Sequence, residues 1–93
     1  MSATIDREMS YSELAEQERL RAAGESLEAQ ALELYAQAYD VEADVEPHCA
    51  ERAGAERRAA ATCRQNAARH FANYQTYLAK AEKETQTAQE GTQ

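Results

Sequence analysis

Helix-breaking residues are almost missing from this chain, and that limits its fold more than any other feature. The 93 residues include one proline, Pro47, and three glycines. Between Tyr11 and Ala43 the only interruption is Gly24. A β-sandwich of this length needs a turn signal roughly every 8–12 residues, so the chain reads as all-α. Ser10 and Glu13 have capping-box spacing, and Met9 and Leu14 sit where a hydrophobic staple belongs, which predicts a helix start at Tyr11. Pro47 suits the first turn of a second helix, where its missing N–H costs nothing. It also pushes the preceding residue out of helical geometry. The turn is therefore expected at 44–46, between helices over about 11–43 and 47–85. At ~1.5 Å per residue each helix is roughly 50–57 Å long. The chain makes a single domain, a long antiparallel two-helix hairpin, with residues 1–9 and 86–93 as loose tails.

Apolar spacing suggests how the helices meet. Leu20, Leu27, Leu34 and Val41 recur every seven residues, and Gly24, Ala31, Ala38 and Val45 follow each by four. This is a coiled-coil alternation. On the second helix Ala53, Ala60 and Ala67 form a ladder, with Cys63 beside it. Small side chains let two backbones approach at the short end of the ~8–10 Å range. Folding at 44–46 brings Ala38 to Ala53, Ala31 to Ala60 and Gly24 to Ala67. The same register sets Glu28 near Arg64, Glu33 near Arg57 or Arg58, Asp40 near Arg52, and Glu13 near Lys80. Leu34 then falls opposite Glu56 and Arg57, an unfavourable layer unless another chain completes it.

A second strip is expected to face a second copy. Leu32, Tyr35 and Tyr39 follow helical spacing, and Phe71, Tyr74, Tyr77 and Leu78 cluster on the second helix. Large aliphatics are few, so one hairpin buries little greasy surface. Both features point to a homodimer forming a four-helix bundle. Alanine and leucine layers of this kind, with two cysteines 14 residues apart on the second helix, resemble the small plasmid RNA-binding regulators of the Rop type. The resemblance is one of architecture. Those regulators grip RNA with a basic, aromatic first helix, whereas only Arg19 and Arg21 lie within this one.

The formal charge of -7 is uneven, with -9 in residues 1–46 and +2 in residues 47–93. Facing helices of complementary charge account for this. Net acidity disfavours nonspecific DNA binding, which rests on neutralising phosphates. Arg57, Arg58 and Arg64 are nevertheless the residues that would contact RNA phosphates in an alternative reading. Asp40, Glu42, Asp44 and Glu46 make an acidic tip. A hairpin with such a tip looks like the arms that transcription factors insert into the RNA polymerase secondary channel. An acidic inhibitor of the phage or plasmid kind, blocking a basic site, is the corresponding function.

Catalysis is not expected. The sequence has no Gly-x-Gly phosphate loop, and a two-helix hairpin has no partly dry pocket for acid–base work. His48, Cys49, Cys63 and His70 spread over roughly 30 Å of helix, so no metal or cofactor site is expected from them. Cys49 and Cys63 lie about 21 Å apart on one helix, beyond the reach of a disulfide, and are expected to be free thiols. His48 beside Cys49 at a helix start makes Cys49 the thiol to watch for reactivity. No apolar run approaches a membrane span and no signal-like segment follows Met1, which points to the cytoplasm. The reading is thus a non-enzymatic regulator or adaptor that binds itself and an unidentified protein.

Overall fold

A computed structural model of the chain describes residues 8–91. It contains two helices, α1 (Tyr11–Ala43) and α2 (Cys49–Gly91), packed together along their length. Parts of the expected tails, residues 1–7 and 92–93, lie outside the described residues. The body is elongated, 73 × 38 × 13 Å.

Helix α1 starts as its sequence dictates. The Ser10 hydroxyl accepts from the Glu13 N–H at 3.1 Å, and the Ser10 N–H donates to the Glu13 carboxylate at 2.9 Å. This reciprocal box satisfies donors that a helix start leaves open. The turn needs no glycine, since no described residue has positive φ. Asp44 stays near helical geometry as the C-cap. The N–H groups of Val45 and Glu46 both donate to the Glu42 carbonyl, at 2.9 and 2.8 Å. Beyond Pro47, the Cys49 N–H donates to the Glu46 carbonyl at 3.0 Å and opens α2.

Helix α2 runs on to Gly91, six residues past the end expected at 85. Residues 86–90 are polar or small, with no proline among them. Helix propensities of Gln, Ala and Glu are good. Thr85 and Thr87 bond back to the carbonyls of Ala81 and Lys83, at 3.1 and 2.9 Å, and leave the ladder intact.

The seam is where sequence and structure part. On α2 the expected face is the packed one, with Ala53, Ala60 and Cys63 buried and Ala67 half-buried. On α1 the face turned to α2 carries Ala15, Ala22, Ala29 and Ala36, all buried, continued by the half-buried Ala43. Ala29 packs with Ala60 and Cys63, and Leu32 covers them. The expected α1 residues Leu20, Gly24, Leu27, Ala31, Leu34, Ala38 and Val41 are all exposed. Each expected layer is two residues off, Ala38 for Ala36 and Ala31 for Ala29. Two residues are about 200° of helix, and so the opposite side.

Size explains the choice. The α2 face between Ala50 and Ala68 offers no apolar side chain larger than Ala or Cys. Alanine opposite alanine lets the helices close up and gain dispersion contact along their whole length. Leucines there would wedge them apart. Gly24 plays no part in this approach, since a Cβ built on it meets nothing within 4 Å. Among the described residues the buried set is six alanines, two cysteines and Glu18. A core this small leaves the hairpin with little hydrophobic stabilisation of its own.

Candidate interaction surface and polar clusters

Everything large and aliphatic on α1 that the seam rejects is collected on one outer face. Leu20, Leu27, Leu34 and Val41 are 56, 66, 65 and 73% exposed. Each of the three leucines precedes a seam alanine by two residues, so the row points directly away from α2. Gly24, Ala31 and Ala38 lie between them, also exposed. The row runs about 32 Å along the helix at ~1.5 Å per residue. The awkward layer of Leu34 against Glu56 and Arg57 does not arise, because Leu34 never meets α2.

The expected second strip does not hold together as one surface. Leu32 belongs to the seam cluster. Tyr39 is half-buried with the Arg52 guanidinium 5.9 Å from its ring centroid. Tyr77 stacks on Tyr11 at 6.1 Å, and the Lys80 ammonium lies 5.5 Å from the Tyr11 centroid, which clamps the open end of the hairpin. Tyr74 is half-buried beside Phe71, 5.7 Å between centroids. Tyr35, Phe71 and Leu78 remain exposed, Tyr35 on α1 and the other two on α2. The tyrosines are thus divided between the two helices' mutual contact and solvent.

The cross-helix ion pairs also shift. Arg57 grips Asp40, and Arg64 grips Glu33, in place of the expected pairs of Asp40 with Arg52, Glu33 with Arg57 or Arg58, and Glu28 with Arg64. The Arg57 guanidinium holds the Asp40 carboxyl below its ordinary range. Two of the three arginines considered for phosphate contact are therefore committed to acids of α1. Arg58 is exposed, with its guanidinium beside Gly54.

Two polar clusters were not legible. The first is Glu18 with His70, hydrogen-bonded across the seam with side chains only 11 and 18% exposed. Arg21 approaches the same carboxylate at 3.8 Å. Glu18 lies seven residues before Glu25 and fourteen before Leu32, on a row flanking the alanine ladder. Following that ladder would have found it.

The second cluster is at the tip. The Cys49 thiol is buried and donates to the Glu42 carboxylate at 3.5 Å. His48 Nε2 lies 4.0 Å from the same sulfur and 3.4 Å from the Glu46 carboxylate. Burial, then the bond to Glu42, pushes the Cys49 thiol up from its ordinary range, the opposite of an activated nucleophile. Cys63 is raised likewise, by burial and then by its bond to Glu25. Glu25, Glu28 and Cys63 form a further donor group on the seam. The set His48, Cys49, Cys63 and His70 is not brought together. Of the four tip acids, Asp40 is taken by Arg57, Glu42 and Glu46 join the thiol and imidazole, and Asp44 caps α1. Among the described residues no helix is long and apolar enough to cross a membrane. No family model matches this chain, and no match was found among curated proteins or solved structures.

Proposed function

We propose that the chain is a non-catalytic interaction module whose hairpin pairs with a second copy through the outer face of α1, and that it acts as a small regulator or adaptor. The observation that carries this reading is the row Leu20, Leu27, Leu34 and Val41, held in heptad spacing on the side of α1 away from α2 and more than half exposed. A chain whose buried set is alanine and cysteine, with its leucines outside, has its hydrophobic free energy still to gain.

The row is self-complementary in one antiparallel register. In it Leu27 meets Ala38 of the second copy, Leu34 meets Ala31, and Val41 meets Gly24, so these layers pair large with small, while Leu20 falls against Val45, just beyond the end of α1. The flanks agree. Arg21 falls beside Glu42 of the second copy, and Glu28 beside the hydroxyl of Tyr35. Sliding one heptad either way sets Glu28 against Glu28, or Glu28 against Glu42. Like charges on the flank disfavour those registers. Because α2 lies behind α1, the four helices would stand side by side in a row, α2–α1–α1–α2, rather than around a common core as first expected.

Sedimentation at micromolar concentration tests the reading. It predicts a species of twice 10.3 kDa. A stably folded 10.3 kDa monomer at all concentrations would assign the leucine face to some other molecule and end the proposal.

A further inference from the structure

The tip places three kinds of metal-ligating atom around one point. The Glu46 carboxylate, His48 Nε2 and Cys49 sulfur all lie within 4.8 Å of one another. Tetrahedral zinc, with bonds of about 2.3 Å to sulfur and about 2.0–2.1 Å to nitrogen or oxygen, requires about 3.5 Å between sulfur and its neighbours and about 3.3 Å between nitrogen and oxygen. The structure has 3.4 Å from His48 to Glu46 and 4.0 Å from His48 to Cys49. Glu42 lies outside that group, with its carboxylate 3.5 Å from the sulfur. Side-chain movements of about an ångström would bring Glu46, His48 and Cys49 to that spacing.

The backbone makes this convergence local and reproducible. Glu46, His48 and Cys49 share the one tight turn closed by the Cys49 N–H on the Glu46 carbonyl, and Glu42 occupies the last turn of α1. Among the described residues neither carboxylate is paired with a lysine or arginine in a salt bridge. Electron-rich donors converge; Arg52, whose guanidinium lies 5.9 Å from the Tyr39 ring centroid, is felt by the thiol but bridges to neither carboxylate. We propose that Glu46, His48 and Cys49, with Glu42 or a water in the fourth position, form a site for a divalent cation of the zinc class at the hairpin tip. Mixed sulfur, nitrogen and oxygen donors favour such borderline ions over magnesium or calcium, which take oxygen. On binding, the thiol gives its proton to solvent as the metal–sulfur bond forms, and no electron changes hands. Where Glu42 takes the fourth position, the ion ties the end of α1 to the start of α2.

Cobalt(II) titration of the full chain under reducing, chelator-free conditions is the test. The expected result is one ion per chain, with the near-ultraviolet thiolate-to-cobalt band and the visible bands of tetrahedral cobalt, all displaced by zinc. Cys63→Ser should leave the spectrum unchanged, and Cys49→Ser should abolish the thiolate band. His48 is 64% exposed in its side chain, so His48→Ala should leave helicity intact while weakening binding by more than about 100-fold, beyond the loss of an outer-shell partner. Absence of the thiolate band in the unaltered chain overturns the proposal. So does a band that survives Cys49→Ser or disappears with Cys63→Ser, which would move the ion to Glu25, Glu28 and Cys63.

Discussion

Replacing Leu27 by alanine separates the hairpin's own stability from its self-association. Leu27 is 66% exposed and lies two residues from the buried Ala29, on the side of α1 turned away from α2. Fully burying a leucine side chain contributes about 1.5–3 kcal/mol, so covering the exposed two-thirds contributes about 1–2 kcal/mol. Symmetry doubles this, because each dimer loses two leucines. The substitution should therefore weaken the dimer by about 2–4 kcal/mol, raising Kd roughly 30- to 1,000-fold at about 1.4 kcal/mol per decade. In a dilute monomer the same change is a surface substitution, within about 0.5 kcal/mol of neutral. The assay is sedimentation equilibrium across a concentration series, with circular dichroism melts at the lowest concentration. Parallel loss of dimer and unchanged dilute melting is the expected pair of results. An unchanged Kd, or a large loss of stability in dilute monomer, would refute the reasoning: the first removes the leucine face from the interface, and the second returns it to the intramolecular seam.

Ala29 is 0% exposed between Ala60 and Cys63, so Ala29→Leu should overpack the seam and lower stability by about 1–3 kcal/mol in urea titration. Gly24→Ala fills open space on a helix and should raise stability by about 0.5–1 kcal/mol, read as a shift in the same titration. The Asp40 carboxyl is lowered by Arg57, so its contribution is present above the unfolded-state pKa and is lost as pH falls through the lower folded value. Asp40→Asn should accordingly lower stability at neutral pH and flatten the acid limb of a stability–pH curve.

How much of this was readable follows from what each element depends on. The hairpin was legible because Pro47, the Ser10–Glu13 box and the scarcity of other breakers act locally. The α2 face was legible because its apolar residues there are nearly all alanine or cysteine, leaving one choice. The α1 face was not, because two heptad rows compete on that helix. The leucine row is the more hydrophobic, and the alanine row is the better fit to α2. Hydrophobicity alone chooses the first; the separation that α2 permits chooses the second. That one displacement of two residues also misassigned the ion pairs of Arg57 and Arg64 and hid Glu18 behind the wrong row. The tip donors were missed for a different reason. Glu42 and Glu46 read as charge, and Cys49 was weighed against the distant Cys63. Only the folded turn brings the Glu46 carboxylate to the neighbouring imidazole and thiol.

Thiol accessibility at two neighbouring positions tests the central claim most directly. In a chain with Cys49 and Cys63 changed to alanine, Leu27→Cys and Ala29→Cys place a probe on each side of α1. The account predicts that the Ala29→Cys thiol is protected at every concentration, while the Leu27→Cys thiol labels rapidly when dilute and becomes protected as concentration passes Kd. A protected thiol at position 27 in dilute monomer, with a reactive one at position 29, would show that the leucines face α2 and would contradict the account.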